Sequence, residues 1–582
     1  MGSVQKSIII YCVMSFLIFA AACFQQISSL SLIIISGIAL LLIILLKNVQ
    51  MDTFEMFQLE ESHKKNLILI LLVLFIFFAH VLIIPPYMRD DIIYHLLIPK
   101  QLVAQGGFRF DPYNINSNFP MVFELPLTLS IISKGWISPF IVNYLVLLCL
   151  CVGFYSIARR IFYINHPLAL MATVLIATTP TIYDQIRSCY VECFMSLLVL
   201  VIFYNYFLFR TRRTQTRFWY LTMLFAGFLC STKYTGGVYV LFLIGVEFFS
   251  NKNRTLYYKG VLICTAICLP WYLKNWILLG NPFFPLLNFM FSSEHISIER
   301  YIYFKHLFAD YNCGRTGLDY LLLPFRLLTG CGDVPTHGGL GFGGRLSFFY
   351  ICSFASVAYI FRKLKISDLG RNNQLVGLLF VFYALFWAFT SQQVRFLLPV
   401  LILASLSGLS LINDNWKHLK TMTLIVMTII LVQNAFNIGM IMKKERIDDL
   451  ILGKISSEQF LDYRMPISHK MANKLNQILD PQVSCLLTIG SFGRNYFYNM
   501  RVITNTYFEA EILAEAFEID NAQPEMFNAF VEKEGISHLM INFSFFDNFF
   551  KNDASFDKHA FKKYLDQKTV ILRQNAVVVY EL

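Results

Sequence analysis

Charge is scarce in this chain: Asp, Glu, Lys and Arg make up 15% of its 582 residues, against 56% hydrophobic ones. So little charge excludes an ordinary soluble domain, where about a quarter of the residues are charged. A mean hydropathy of +0.56 points to a polytopic membrane protein instead. The 13 cysteines lack pattern: most sit inside apolar stretches as small hydrophobes, and none has metal-type spacing. Cys313 and Cys331 share one long loop and pair only if that loop faces an oxidising compartment, two free thiols being the default. Residues 443–582 contain no GxGxxG, P-loop, CxxC pair or HExxH, so this tail carries no signal for nucleotide or zinc chemistry. An A-x-A-like exit is missing after the first apolar run, about 7–24, which leads directly into a second and reads as a span, not a cleaved leader.

What the chain has in abundance is aromatic and aliphatic bulk, with 57 Phe and 30 Tyr suited to lipid contact and interfacial belts. At about 1.5 Å per residue and about 30 Å of hydrocarbon, thirteen runs are long enough to cross, several of them short. They fall near 7–24, 27–46, 66–84, 137–158, 167–185, 190–209, 218–232, 235–250, 258–279, 346–361, 374–391, 396–413 and 421–442. The net charge of +11 raises the question of nucleic acid. Its Lys and Arg lie in short clusters between apolar runs, however, where they orient helices, so no nucleic-acid partner is expected. Lys47 with Lys64 and Lys65, Arg159 and Arg160, Arg210, Arg212, Arg213 and Arg217, Lys252 with Arg254, Arg362 with Lys363 and Lys365, and Lys417 with Lys420 fall in alternate loops. The expected topology has the N-terminus in the cytoplasm of an inner (plasma) membrane. Residues 85–136, 280–345 and 443–582 then lie on the far side, the periplasm of a Gram-negative cell.

The expected fold is therefore an all-α membrane domain over 1–442 and an extracytoplasmic α/β domain over 443–582. In the tail, 484–490, 501–505, 538–542 and 576–582 read as strands, and 468–479, 509–519, 523–534 and 557–566 as amphipathic helices. In the first outward loop, 92–104 and 123–133 are too short to cross and read as interfacial helices, with Tyr94 and Trp136 as anchors.

That loop opens with RDDIIYHLLIPK, where Asp90 and Asp91 follow a long apolar stretch ending at Pro85 and Pro86. A carboxylate against hydrocarbon costs several kcal/mol unless it faces water, a cation or a substrate, so the pair is either a loop start or a functional site. Other polar residues recur at the outer ends of spans: Glu124, Glu192, Lys233, Lys274, Asn275 and Arg395. Singly, each reads as a snorkelling or loop residue. Together they supply a carboxylate base and cations able to neutralise a phosphate leaving group.

The order DDIIYHLLIPK, NFPMVFE, Y-x-E opening a span, STKYTGG, PWYLKN-x5-NPFFP and QQVRFLLP resembles the GT-C superfamily of polyprenyl-phosphate-sugar-dependent glycosyltransferases. The nearest look is to bacterial relatives of the protein O-mannosyltransferases and the lipid A aminoarabinose transferase. The resemblance runs over roughly residues 66–470, including GKISSEQFLDYR. It implies inverting transfer of a hexosyl or pentosyl unit from a polyprenyl-phosphate donor of undecaprenyl type to a glycan, lipid or protein acceptor. It also implies Asp90 as general base, with Asp91 sharing or replacing it, and Glu192 orienting the acceptor or holding a metal. Lys233, Lys274 and Arg395 would meet the donor phosphate, and Tyr94, His95, Glu124 and Asn275 would line the substrate. A divalent metal is left unassigned. Two extra spans before the acidic loop and the glycine-rich HGGLGFGG (337–344) depart from the better-known relatives; the latter reads as a lid or as a turn-rich connection.

Three other readings remain open. A transporter or flippase suits many spans, but no internal repeat links the halves and the charges gather at one face. An O-antigen polymerase or ligase is polytopic too, but leans on Arg and His in its large loop. The third is a scaffold whose tail binds a partner.

Overall fold

The computed structural model describes residues 1–47, 49, 60–108, 114–212, 214–250, 253–310, 314–329, 349, 352–357, 368–415, 417–491, 493–505, 513, 516–518, 521–549 and 556–582. They form two compact units. One comprises Met1–Ile83, Gln105–Phe108 and Asn118–Lys444; the other comprises Ile84–Ala104, the described part of 109–117 and Glu445–Leu582. The acidic segment thus groups with the C-terminal residues, although the apolar pattern joins it to the membrane domain.

In the first unit, nine helices among the described residues are long and apolar enough to cross a membrane, and three more apolar helices are shorter. Twelve of the thirteen expected runs therefore have a helical counterpart, and the run 346–361 lies largely outside the described residues. The expected span 167–185 breaks: His166–Thr178 ends at Thr179, and Pro180–Ile186 starts a separate helix. Pro180 disfavours helical geometry at the residue before it, which explains the break.

The centre of this unit is the helix Glu192–Thr211, whose residues are buried from Glu192 to Phe209. It packs against Ile141–Arg160, Arg217–Cys230 and Leu398–Asn415. An apolar helix without a polar stripe is what a position enclosed on every side requires. Two of its polar side chains bond back to the helix, Ser196 Oγ to the Glu192 carbonyl and Asn205 Nδ2 to the Val201 carbonyl. Close helix approach depends on small residues: a Cβ added at Gly260 would stand 2.1 Å from Trp219 Nε1.

The second unit holds a five-stranded sheet in the order β2-β1-β3-β5-β4, with β1 Cys485–Ile489, β2 Arg501–Asn505, β3 His538–Asn542, β4 Thr569–Gln574 and β5 Val577–Glu581. β1 runs parallel to β2 and β3, while β5 is antiparallel to β3 and β4. Side chains alternate across the sheet as a two-residue period demands. Leu487, Leu539, Ile541 and Val578 face a core with Phe517, Phe527 and Phe561; Leu486, Met540, Val577 and Val579 face a second with Met471, Leu475 and Tyr498. Four expected strands are present and β4 was not expected. Its hairpin turns at Asn575, with φ 55°, followed by alanine instead of the stronger Asn-Gly signal. The expected helices at 468–479, 523–534 and 557–566 appear as Ser468–Ile478, Pro524–Glu534 and Lys558–Leu565. The expected helix 509–519 lies largely outside the described residues.

Candidate active site

Five of the six sequence motifs are knit together inside the membrane unit. Val122 N, in NFPMVFE, donates to the Ser231 carbonyl of STKYTGG at 3.1 Å. Asn275 Nδ2, in PWYLKN, donates to the Asn118 carbonyl at 2.8 Å and to Tyr234 Oη at 3.1 Å. Tyr234 Oη in turn donates to the Phe284 carbonyl of NPFFP at 3.0 Å. These bonds join stretches 41 to 157 residues apart, so the motif order in the sequence is a three-dimensional cluster.

The chemistry of the cluster centres on Glu192. Its side chain is 3% exposed and receives Lys233 Nζ at 2.8 Å, with Arg395 Nε at 3.8 Å. Lys233 lies over the Phe396 ring, 4.1 Å from its centroid, and the Arg395 guanidinium over Tyr190 at 4.6 Å. One carboxylate between two cations leaves a local charge of +1. The ammonium and guanidinium each keep donors beyond those that Glu192 accepts. Such a pair can receive an anion such as a phosphate.

Neighbouring residues that the motif reading passed over hold this geometry. Asn143 Nδ2, buried, lies 2.8–3.0 Å from the carbonyls of Gln185, Ser188 and Tyr190, fixing the turn that leads into Glu192. Within that turn Arg187 pairs with Asp184 at 2.6 Å, both buried. The turn bearing Arg395 is held by Trp387 Nε1 on the Gln393 carbonyl and by Tyr383 Oη on the Phe396 carbonyl. Polar residues inside apolar runs, such as Asn143 in IVNYLVLL, were the sequence signal for these supports.

The remaining residues of the membrane unit are placed as follows. Lys274 is buried and its ammonium lies over the rings of Phe108 and Trp271, at 4.9 and 5.8 Å. Glu124, 5% exposed, precedes the short helical turn Leu125–Leu127. Trp136 is 93% exposed. Among the described residues no three His, Cys, Asp or Glu side chains gather into a metal-holding group. Cys313, Cys331 and the stretch 337–344 lie outside the described residues.

In the second unit the sixth motif adopts an uncommon shape. Asp91–His95 forms a π-helical turn closed by Leu96 N on the Asp91 carbonyl at 2.9 Å, and Leu97–Gln105 continues as an α-helix. π turns recur at functional sites because they re-aim a side chain within a helix. Asp91 is fully buried, while Asp90 is partly exposed and accepts from Tyr94 Oη at 3.4 Å. His95 is buried, its ring 4.0 Å from that of Tyr94. Lys100, four residues further on from Leu96, inserts its ammonium between two backbone carbonyls, and burial pushes its pKa down to about 8.

Residues 120–273 match the family model of dolichyl-phosphate-mannose-protein mannosyltransferase, a segment holding Glu124, Glu192 and Lys233. No curated protein matches the chain by sequence. Among solved structures, the crystal structure of ArnT from Cupriavidus metallidurans bound to undecaprenyl phosphate superposes with a TM-score of 0.55 at 14% identity, over 90% of this chain and 98% of that one. ArnT from Cupriavidus metallidurans in the apo state gives 0.52 at 15% identity, over 88% of this chain and 96% of that one. The GT-C resemblance of the sequence is thus met from two directions, by a mannosyltransferase family model inside the membrane domain and by a fold shared with ArnT across nearly the whole chain.

Proposed function

We propose that this protein is an integral-membrane glycosyltransferase that moves one sugar from a polyprenyl-phosphate carrier to an acceptor on the outer face of the membrane. The observation that carries this reading is the Glu192, Lys233 and Arg395 cluster, two cations and one acid, of which Glu192 and Lys233 lie in the mannosyltransferase-like segment. The ArnT of the matching fold holds undecaprenyl phosphate, which supports a carrier of that class.

In this mechanism an acceptor hydroxyl attacks the anomeric carbon as the bond from that carbon to the phosphate oxygen breaks. The configuration inverts because a single displacement passes through one transition state. Asp90 or Asp91 takes the hydroxyl proton, a contribution of about 10²–10⁴-fold. Lys233 and Arg395 meet the charge gathering on the departing polyprenyl phosphate, and Glu192 holds the two cations in place. Lys274, Asn275, Glu124, Tyr94 and His95 complete the proposed lining. The N-terminus is cytoplasmic and residues 443–582 face the periplasm in this scheme.

The test compares envelope lipids and glycans by mass spectrometry in cells with the gene, without it, and with Asp90→Asn or Asp91→Asn in its place. The expected result is a hexose-sized or pentose-sized unit missing without the gene and in at least one variant that still reaches the membrane. Identical spectra with and without the gene would sink the reading.

A further inference from the structure

The chain between Pro86 and Gln105 is fastened to the C-terminal residues at both ends, and the acid pair lies between the fastenings. At the first end, the Tyr87 hydroxyl donates to the Glu445 carboxylate. Arg464 reaches the same carboxylate at 3.6 Å and lies over the Tyr87 ring at 5.0 Å, while that ring meets Phe460 edge-on at 5.2 Å. At the second end, Lys100 Nζ donates to the carbonyls of Tyr496 and Tyr498, each at 2.7 Å.

The acceptors of Lys100 are themselves rigid. Asn476 Nδ2 takes the intervening Phe497 carbonyl at 2.9 Å, and its Oδ1 accepts from Asn499 N at 2.9 Å, so three successive carbonyls, 496 to 498, are each satisfied by a side chain. Tyr498 is buried in the core beside Met471, Leu475 and Met540, and its hydroxyl rests on Met540 Sδ. A continuous path therefore runs from the Met540 strand through Tyr498 and Lys100 to the helix Leu97–Gln105 and the π turn Asp91–His95. Asn114 Nδ2 adds a bond to the Ile93 carbonyl inside that turn at 3.1 Å.

A partly buried ammonium spent on two main-chain carbonyls has an energetic cost that an apolar residue would avoid. What it gives in return is directional: charge-assisted bonds to two fixed points set both the position and the roll of a short helix. We propose that the C-terminal α/β domain acts as a jig for the acid-bearing turn, with Lys100 and the Tyr87, Glu445 and Arg464 set as its positioning residues. The catalytic relevance rests on the glycosyltransferase reading above; the mechanical link does not. The domain then contributes to transfer without touching substrate. A displacement on the order of 1 Å at a reacting group costs up to about 10²-fold in rate.

The experiment uses the full chain with Lys100→Met, which keeps length and apolar bulk but loses the ammonium, and Lys100→Arg, whose fork can span both carbonyls. Tyr87→Phe probes the other end and serves should Lys100→Met not fold. Hydrogen exchange of purified protein is expected to rise in peptides covering 88–105 for Lys100→Met and Tyr87→Phe, while β1 and β3 keep their protection. In cells, the glycosylated product is expected to fall at least tenfold with Lys100→Met and to stay within about threefold of wild type with Lys100→Arg. Unchanged exchange in 88–105, or exchange rising equally in β1 and β3, overturns the jig. If exchange rises as expected but Asp90→Asn and Asp91→Asn leave product at wild-type levels, the acid assignment falls and the mechanical link stands.

Discussion

The two acidic regions of this protein are held by opposite means. Glu192 is fixed by side chains, with Lys233 and Arg395 brought from 41 and 203 residues away. The Asp90 and Asp91 turn is fixed from its flanks, by a lysine on two carbonyls, a tyrosine on a glutamate and the hydrogen bonds of a π turn. Charge that is already matched by charge is poised to receive an anion without rearrangement, because the cations are preorganised and the counter-charge is built in. In the proposed mechanism the Glu192 region meets the phosphate and the Asp90 and Asp91 turn takes the proton.

The strongest way to break this comparison is to exchange the acids for amides. Asp90→Asn and Asp91→Asn keep shape and hydrogen-bonding capacity, so a proton-accepting role predicts a loss of about 10²–10⁴-fold in transfer for the residue that carries it. Thermal unfolding should hardly change for Asp90, which is partly exposed, and product mass spectrometry against membrane expression level reads the result. Glu192→Gln should behave differently. It leaves two cations facing each other without the carboxylate between them, costing on the order of 3 kcal/mol of stability as well as activity. A Glu192→Gln protein that melts like wild type yet transfers nothing would place Glu192 against substrate and end its role as the cation holder.

A third variant separates the carboxylate from its scaffold. Asn143→Ala strips one amide from three buried carbonyls, of which that of Gln185 still accepts from Ser188, so the loss should cost about 1–3 kcal/mol. Transfer should fall less than with Glu192→Gln, since the charges remain. Equal losses in the two variants would mean that the turn at 185–190, and not the charge, is what the site needs.

The cluster around Glu192 was legible in the sequence because its ingredients recur at the ends of spans, where an ionisable residue is costly enough to be noticed. Glu192, Lys233 and Arg395 converge as their positions imply, and Asn275 joins them through Tyr234. Lys274 meets two aromatic rings instead, because on a helix it points about 100° away from Asn275. Helix periodicity was equally legible, and so were the four hydrophobic strands of the tail. What the sequence hid was the grouping of 84–104 with residue 445 onward. Apolar pattern records which residues leave water, but a lysine bonded to carbonyls 396 and 398 residues away leaves no pattern in either stretch.

The smallest expected effect tests that hidden link by titration. Burial lowers the Lys100 pKa from the ordinary 10.5 to about 8. Below pH 8 the lysine is charged in folded and unfolded chains alike, so its burial is a constant cost. Between about 8 and 10.5 the unfolded chain still holds a proton that the folded chain has released. Stability then rises with pH, because the unfolded state binds more protons. The unfolding temperature of wild type minus that of Lys100→Met should therefore be flat up to about pH 8 and climb toward pH 10.5, each measured by intrinsic fluorescence in the same detergent. A difference that instead falls over this window would mean that the ammonium is stabilised in place as a charged group, and the clamp would then be an electrostatic one like that of Glu192. The two regions would no longer differ in kind, and the assignment of proton and phosphate would have to rest on the amide variants alone.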